Sequence, residues 1–527
     1  MDLTRPTLIS ADKVRTANGV QGDAVLIQGG KVAAVGWASD LLQPHMAEER
    51  YSNTVLLPGL GDAHFHPTGY TAAITRLNLQ TATDMADLLD AVRMAGRALP
   101  ASQPIIGTRV NNEQLAENRL PTRHDLDKAV SDRPVMLYRY CGHVAIVNTA
   151  ALELAGIGPG TPDPSGGSLD RDERGPNGIL RETATELVSQ AVGDRSVGLD
   201  PADVLLSLRG LVTQGITRLG AIIKLGEGLW CGTGDDLATI SEIGTDLPLE
   251  LAVLVIARTP ADLEKAATTL DNAGPRVKFL GMKDFSDGSL GGHTAAMRHP
   301  YADRPDTRGS LRFDLDTIGP VTRTALAMGA HVALHAIGDL ANHEVATFMQ
   351  ELRNEGAPAS ALRIEHASVL TEPDLDLISS VGALASVQPA FLTSEIKWLE
   401  GRVGSDRLGQ TYAFRSMLDA GIPLAGGSDC PVEPPNPLLG MAAAIDRAGI
   451  SPEQCLTGAE ALGLFTDGVA TAIGEPPPLS IGSPANFTIL DIDPVTATPN
   501  EIRHAEVVST WVQGEPQAHD KEALTWR

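Results

Sequence analysis

Two histidines one residue apart end an apolar segment near the start of the chain. His64 and His66 close the segment VLLPGLGDAHFH, and residues i and i+2 of a β-strand point to the same side. Both imidazoles would then face one point, which is the arrangement that a metal ion needs. Such a pair also occurs among surface histidines at the start of a loop, so it needs support from the rest of the sequence.

Ligand-type side chains end three further apolar segments. His335 lies in AHVALHAIGD, His366 in LRIEHAS and Asp429 in AGGSD. In a barrel of parallel strands, the carboxyl ends of the strands meet on one face, where the active site lies. Four strands would each place a ligand at the same relative position, so the sequence predicts a metal site. Imidazole and carboxylate ligands suit Zn²⁺, Mn²⁺, Fe²⁺ or Ni²⁺, and the number of ions stays open.

A lysine lies inside another strand candidate, GMKDFSDG. Burying Lys283 among apolar residues is costly unless its charge is paired or removed. A salt bridge to Asp284 or Asp287 would pair the charge. Alternatively, the ζ-nitrogen is carboxylated by CO₂, and the resulting carbamate is an anion whose two oxygens can bridge two metal ions.

Strand candidates and amphipathic stretches alternate through the middle of the chain, which is typical of a parallel α/β fold. The strand candidates are 55–66, 104–110, 134–140, 215–221, 249–256, 277–288, 330–339, 362–370, 382–390 and 421–429. Amphipathic stretches such as 84–99 and 344–356 lie between many of them. A (β/α)8 barrel needs two fewer strands, so we expect 104–110 and 134–140 to belong to an insertion after the first strand.

Both ends of the chain have the character of β-strands, with β-branched residues interrupted by Gly-Gly and Asn-Gly turns. We predict that 1–57 and 476–527 pair into one small β-sandwich domain, because chain termini often lie close together. Residues 58–475 would form the TIM barrel, with an insertion at about 67–205. The segment 157–184 is rich in Gly, Pro and Asp and is predicted to be a loop that serves as a lid or binds substrate.

These motifs resemble the amidohydrolase superfamily, specifically the amidohydrolase family 3 branch that includes YtcJ-like proteins and N-substituted formamide deformylases. The resemblance covers essentially the whole chain, with the motifs in the family's order. They include LPGLGDAHFH, PTRHDLDKAV, GHVAIVNTAAL, MKDFSDGSLGGHTAAM, HAIGD, RIEHAS and AGGSDCPVEPPNPLLGMAAAIDR. The chain departs from the family pattern at Pro484 and Asn486, and at Cys141, where the family often has an aspartate before Gly-His.

The resemblance implies a barrel with a small β-sandwich from both termini and a divalent metal, commonly zinc, as one or two ions. The implied metal ligands are His64, His66, carboxylated Lys283, His335, His366 and Asp429. The implied reaction is hydrolysis of a non-peptide C–N bond, in an amide or an N-substituted formamide, by metal-activated water with Asp429 as general base.

Four further residues are candidates for the surroundings of that site. His143 is the candidate that polarises the substrate carbonyl, although it could equally be a structural histidine. Gln388, Phe391 and Trp398 follow a predicted barrel strand and are candidates for the substrate pocket, although an aromatic residue there could also belong to the core.

Other functions fit the same barrel. A deaminase would need an acid close after a strand histidine, and Asp339 is the available residue in HAIGD. A phosphotriesterase or lactonase could use the same carboxylated lysine. A non-catalytic barrel is the contrasting alternative, but such a relative should have lost ligands, and all six ligand-type residues are present.

Composition limits the partners of the protein. The 527 residues carry a formal net charge of −25, which argues against nucleic acids and anionic membranes. Cys141, Cys231, Cys430 and Cys455 have no paired spacing, so a disulfide framework or a cysteine zinc site is not expected. Neither a signal peptide nor a membrane-spanning run is recognisable, so a cytoplasmic enzyme with a small-molecule substrate is expected. A homodimer is compatible with the sequence.

Overall fold

Strands of different sheets follow one another along the chain. The computed structural model describes residues 5–44, 46–164, 166–193, 199–225, 235–518 and 524. The strands in these ranges are β1 (Thr7–Thr16), β2 (Gly19–Gln28), β3 (Lys31–Gly36), β4 (Ala47–Arg50), β5 (Val55–Pro58), β6 (Leu60–Phe65), β7 (Leu77–Asn78), β8 (Ile105–Val110), β9 (Val135–Arg139), β10 (Val144–Val147), β11 (Gly167–Asp172), β12 (Gly175–Glu182), β13 (Ile216–Lys224), β14 (Glu250–Ile256), β15 (Val277–Phe285), β16 (His331–Ala336), β17 (Leu362–His366), β18 (Leu384–Val387), β19 (Leu424–Gly426), β20 (Phe487–Leu490), β21 (Val507–Val512) and β22 (Glu515–Pro516).

Helices connect most of these strands, and polar N-cap residues begin many of them. The α-helices in the described ranges are α1 (Ala38–Leu41), α2 (Pro67–Thr75), α3 (Met85–Ala98), α4 (Arg123–Ala129), α5 (Thr149–Leu154), α6 (Glu186–Gly193), α7 (Pro201–Leu211), α8 (Asp236–Ile243), α9 (Pro260–Asp271), α10 (Leu315–Ala327), α11 (Asp339–Asn354), α12 (Glu372–Val381), α13 (Phe391–Glu395), α14 (Leu399–Val403), α15 (Phe414–Asp419), α16 (Pro437–Asp446), α17 (Gly458–Gly463), α18 (Val469–Ala472) and α19 (Pro499–Arg503).

Eight parallel strands form the barrel, paired in the order β6, β13, β14, β15, β16, β17, β18 and β19. A bridge between Phe65 and Cys430 brings the two edges of this sheet together. Its strands are mostly apolar because helices cover the outside and side chains fill the interior; β14 (ELAVLVI) is buried at every residue after its first. The predicted (β/α)8 barrel is confirmed.

A second sheet lies between β6 and β13 in the chain, with the strand order β11, β12, β10, β9, β8 and β7. The surplus strand candidates 104–110 and 134–140 correspond to β8 and β9, so their assignment to an insertion is confirmed. The prediction of a loop over 157–184 is wrong in part, because β11 and β12 form an antiparallel hairpin there. No apolar alternation marks this hairpin, since Leu169 is the one buried residue of β11 and polar pairs such as Arg181 with Asp170 join the strands.

Both ends of the chain contribute to the third sheet. Its strand order is β22, β21, β20, β5, β1, β2 and β3, and β4 pairs with β1. β5 and β20 pair antiparallel, with Pro58 opposite Phe487, and thereby join the two termini. Trp511 is fully buried and stacks on Phe487 with the ring centroids 5.2 Å apart. The predicted union of the termini is confirmed, and we propose 1–57 and 476–527 as the boundaries of this unit.

The expectations about membrane-spanning segments and cysteines can be compared with the described residues. Among these residues, no helix combines the length and apolar character needed to cross a bilayer. Cys141, Cys430 and Cys455 are free thiols, whereas Cys231 lies outside the described residues.

The terminal sheet should depend on Trp511. Replacing this residue by alanine removes the stacking on Phe487 and leaves a cavity, so Trp511→Ala should lower the free energy of unfolding by about 3–5 kcal/mol. Val508→Ala is the matched control on the same strand, because Val508 is 43% exposed, and it should change stability by less than about 0.5 kcal/mol. Chemical denaturation followed by circular dichroism measures both, and equal effects would contradict the assigned core.

Candidate metal centre

The junction of the first and last barrel strands brings His64, His66 and Asp429 together. The Asp429 N–H donates to the His64 carbonyl at 2.8 Å, and the His66 N–H donates to the Cys430 carbonyl at 3.0 Å. Asp429 Oδ1 lies 3.2 Å from His64 Nε2 and 3.1 Å from His66 Nε2. All three side chains are buried. Backbone pairing across the junction therefore sets these donor distances.

A second buried carboxylate links the same two strands. Asp62 Oδ1 accepts from the backbone N–H groups of His64 and Ser428, both at 3.0 Å, and its Oδ2 accepts from the Ser428 hydroxyl. Burial raises the pKa of Asp62 to about 6. A Cβ at position 427 would lie only 2.8 Å from the backbone nitrogen of His64, so Gly427 in AGGSD permits this close approach.

His366 joins this group from β17. Its ring centroid lies 4.8 Å from that of His64, and donor atoms of His64, His366 and Asp429 all lie within 4.8 Å of one another. Gln388 Nε2 donates to the Ser386 carbonyl, so Gln388 Oε1 accepts from His366 Nδ1 at 2.8 Å. The proton therefore sits on Nδ1, and Nε2 of His366 keeps its lone pair for a metal.

The backbone at these ligands adopts a left-handed conformation that residues other than glycine rarely take. The φ angles of His366, Ala367 and Asp429 are 76°, 46° and 54°. A left-handed conformation at a non-glycine residue costs about 1–3 kcal/mol and is held in place only by the surrounding structure. Strain is thus concentrated where the donors converge.

His335 lies beside His366, with ring centroids 4.5 Å apart. Its Nε2 donates to the Gly288 carbonyl at 3.0 Å and lies 3.2 Å from Asp287 Oδ1. Asp287 also accepts three backbone N–H groups, which fix the carboxylate in place. Burial holds the pKa values of His335 and His366 well below their ordinary range, so both rings are neutral.

Lys283 is fully buried in β15. Its Nζ donates to the backbone carbonyl of Asp284 at 3.3 Å and lies 3.7 Å from the centroid of the Phe285 ring. Among the described residues Lys283 has no ion-pair partner, so the alternative of a salt bridge to Asp284 or Asp287 is wrong. Burial lowers the pKa of Lys283 to about 8.

A buried ion pair inside the barrel orients His64. Glu365 Oε2 accepts from His64 Nδ1 at 2.6 Å, and Glu365 Oε1 accepts from Arg363 Nε at 2.6 Å. Arg363 also donates to the carbonyls of Ala63 and Ala472. Burial opposes ionisation, but Arg363 and His64 hold the pKa of Glu365 well below its ordinary range. The carboxylate fixes the tautomer of His64 and leaves Nε2 to face Asp429.

A cavity of 510 Å³ opens beside His143. Glu182 Oε2 accepts from His143 Nδ1 at 2.8 Å, and Arg312 lies 2.8 Å from the same oxygen. The His143 ring centroid is 5.6 Å from that of His335. His143 thus stands between the cavity and the histidine cluster, although it belongs to the inserted sheet.

The three residues predicted for the substrate pocket differ in their contacts. Phe391 stacks on His366 with ring centroids 6.3 Å apart. Gln388 holds His366 by a hydrogen bond. Trp398 packs under the guanidinium of Arg402 and does not line the cavity beside His143.

Sequence reasoning missed several of the residues that support the ligands, although it named Asp287 and Gln388. Glu365 and Arg363 could have been found, because two opposite charges at positions i and i+2 of an apolar strand face the same side and need partners. Asp62 could have been found in a similar way, because it is a charged residue within the apolar strand LGDAHF and needs partners. Glu182 gave no such signal, since it lies in a segment rich in Gly, Pro and Asp that was predicted to be a loop.

Most of the chain matches a known family. Residues 52–518 match a family model described as "Amidohydrolase family". The chain belongs to the amidohydrolase family. YtcJ of Bacillus subtilis (strain 168), named as a candidate amidohydrolase, is 31% identical over 94% of this chain and 96% of that protein. The N-substituted formamide deformylase of Arthrobacter pascens is 26% identical over 98% of each protein.

A solved structure extends this comparison to three dimensions. A metal-dependent hydrolase from Pyrococcus horikoshii OT3 is 27% identical, covers 94% of this chain and 99% of its own, and gives a TM-score of 0.73. The amidohydrolase is therefore an enzyme, a metal-dependent hydrolase that acts on C–N bonds. The alternative of a non-catalytic barrel is set aside.

The Glu365 carboxylate should matter for metal affinity. Glu365→Gln keeps the side-chain volume but removes the charge that orients His64, so metal affinity should fall about 10–100-fold. Competition with a chelator measures the affinity, and circular dichroism checks the fold. Glu372→Gln, at an exposed position of α12, is the control and should bind metal normally. Unchanged affinity in Glu365→Gln would contradict the orienting role.

Proposed function

We propose that this amidohydrolase cleaves the C–N bond of an amide or an N-substituted formamide at the junction of β6, β17 and β19. The observation that carries the proposal is the convergence of His64, His366 and Asp429, whose buried donor atoms lie within 4.8 Å of one another. The deformylase relative, whose name states formamide as its substrate class, supports that class. The full proposed ligand set is His64, His66, Lys283, His335, His366 and Asp429.

The donors of this set fit a divalent ion. His335 and His366 are neutral, and hydrogen bonds donated to Glu365 and Gln388 fix the tautomers of His64 and His366. Imidazole nitrogens and carboxylate oxygens suit Zn²⁺, which we propose as the resident ion. When bound, such an ion supplies Lewis acidity and makes water more acidic.

Asp429 is the proposed general base. Burial opposes its ionisation, but His64 and His66 hold the pKa of Asp429 well below its ordinary range. As an ionised acceptor, Asp429 takes a proton from the attacking water while a C–O bond forms at the carbonyl carbon. It then returns the proton to the leaving nitrogen, and the C–N bond breaks to give a carboxylic acid and an amine.

His143 is proposed to position the substrate carbonyl. Glu182 fixes its Nδ1, and the ring lies between the 510 Å³ cavity and His335. A polar group held in this way can stabilise the negative charge that develops on the carbonyl oxygen. The departure of Cys141 from the family pattern leaves these contacts of His143 in place.

Carboxylation of Lys283 is proposed as well. The side chain is fully buried and has no ion-pair partner among the described residues. Burial lowers the pKa of Lys283 to about 8, which favours the neutral amine that reacts with CO₂. A carbamate would supply two further oxygen donors, which suits a site with two ions.

The alternative reactions receive less support. Asp339, the acid that a deaminase would use, accepts from the Arg298 backbone N–H at 2.9 Å at the start of α11. Ester and lactone hydrolysis would need the same attacking water, and a substrate panel should include both. The cytoplasmic location and the homodimer stay predictions from the sequence.

Asp429→Asn tests the proposed base. Hydrolysis of N-substituted formamides, followed by formate release, should fall by about 10²–10⁴-fold because asparagine cannot accept the proton. Asp419→Asn, at an exposed position of α15, should retain full activity. Normal turnover by Asp429→Asn would refute its role, and a wild-type enzyme that cleaves esters but no amide or formamide would refute the proposed substrate class.

CO₂ dependence tests the proposed carbamate. The metal-free protein supplied with Zn²⁺ and bicarbonate should bind more metal than protein reconstituted without CO₂. With ¹³C-bicarbonate the wild type should also show a carbamate NMR signal. Lys283→Met should lose both effects, whereas Lys278→Met, on the same strand with a side chain 41% exposed, should keep them. A wild type indifferent to CO₂ would contradict the carboxylation.

A further inference from the structure

A cavity of 360 Å³ lies between the inserted sheet and the loop that follows β15. None of its lining residues lines the cavity beside His143. Arginines dominate its wall, and we call it the arginine cavity after Arg119, Arg139, Arg181, Arg304 and Arg402. Glu113 is the acidic residue among its lining residues, in a chain whose net charge is −25. The wall is therefore rich in basic side chains, whereas the protein as a whole carries a net negative charge.

Carboxylates and carbonyls hold these arginines in place. Arg181 donates through Nε and NH2 to both oxygens of Asp170. Arg402 Nε donates to Asp303, and its NH1 donates to two loop carbonyls. Arg119 pairs with Asp125 and Arg304 with Asp306 in the same way, and these acids do not line the cavity. Arginines anchored like this lose little conformational entropy when a ligand binds.

Arg139 carries a donor that the protein leaves unused. Its Nε donates to Asn112 and its NH2 to Glu113, but its buried NH1 has no hydrogen-bond partner among the described residues. A buried donor without a partner is costly, and the residue that carries it lines the arginine cavity. His293 adds no charge at neutral pH, because burial lowers its pKa to about 4.

We propose that the arginine cavity binds a small oxyanion, a carboxylate or a phosphate group. Guanidinium groups match the oxygens of both anions, and hydrogen bonds between charged groups are stronger than neutral ones. The volume of the cavity admits a small molecule of this kind. A purely structural network that attaches the inserted sheet to the barrel would need no such ligand.

The cavity shares a loop with the metal centre. Arg402 NH1 donates to the carbonyls of Leu290 and Gly291, and the carbonyl of Gly288 accepts from His335 Nε2. An anion bound to Arg402 would therefore restrain the segment that contacts His335. The binding itself, however, is independent of the proposed reaction.

Anion titration of the zinc-loaded full chain tests the proposal. Isothermal calorimetry with inorganic phosphate and with succinate, at constant ionic strength, should show saturable binding, and the tighter ligand identifies the anion class. Arg304→Gln should weaken it about tenfold, because one charged contact is lost. Arg304 is 45% exposed and pairs with a surface aspartate, so this variant should fold normally. Arg323→Gln, a surface arginine paired with Glu355, is the control and should bind like the wild type.

Crystals soaked in selenate locate the anion. Selenium scattering in the arginine cavity, lost in an Arg119→Gln/Arg304→Gln double variant, would support the proposal. Selenate found at the metal centre alone, the same affinity in Arg304→Gln as in the wild type, or no saturable binding would overturn it. Because no readout involves hydrolysis, these outcomes do not depend on the proposed function.

Discussion

The contact between the first and last barrel strands is the constraint on which the metal centre depends. Asp429 can meet both His64 and His66 only because backbone hydrogen bonds across this junction fix the two strands at one height. Asp62 reinforces the junction by accepting from the backbone on both sides of it. The closure of the barrel and the convergence of the donors therefore depend on the same contacts.

Charged residues buried in the barrel interior also help to position the metal ligands. Arg363 and Glu365 neutralise each other, and His64 completes the hydrogen bonds of the carboxylate. A buried ion pair is weak evidence for stability, but it becomes useful where it fixes the orientation of a third group. Lys283 is the exception, since it shares this interior without an ion-pair partner among the described residues. That difference sets Lys283 apart from the other buried charges of the barrel.

The sequence was sufficient for the barrel and for most residues brought together at its centre. His64, His366 and Asp429 could be predicted because a ligand-type side chain at the end of an apolar strand is a local pattern. The hydrogen bonds that His64 and His366 donate to Glu365 and Gln388 could not be predicted, because they depend on which strands become neighbours. The β11–β12 hairpin was missed for another reason: polar side chains stabilise it, so it lacks the apolar alternation by which strands are recognised.

The proposed ligands all come from the barrel, whereas His143 and Glu182 come from the inserted sheet. The insertion has its own apolar clusters, formed by residues such as Leu126 and Val135, and does not rely on barrel strands for its core. Mutations that reshape the inserted sheet can therefore accumulate without disturbing the donors on the barrel. Substrate preference and metal binding can thus diverge separately in evolution, and one scaffold can give rise to enzymes with different substrates.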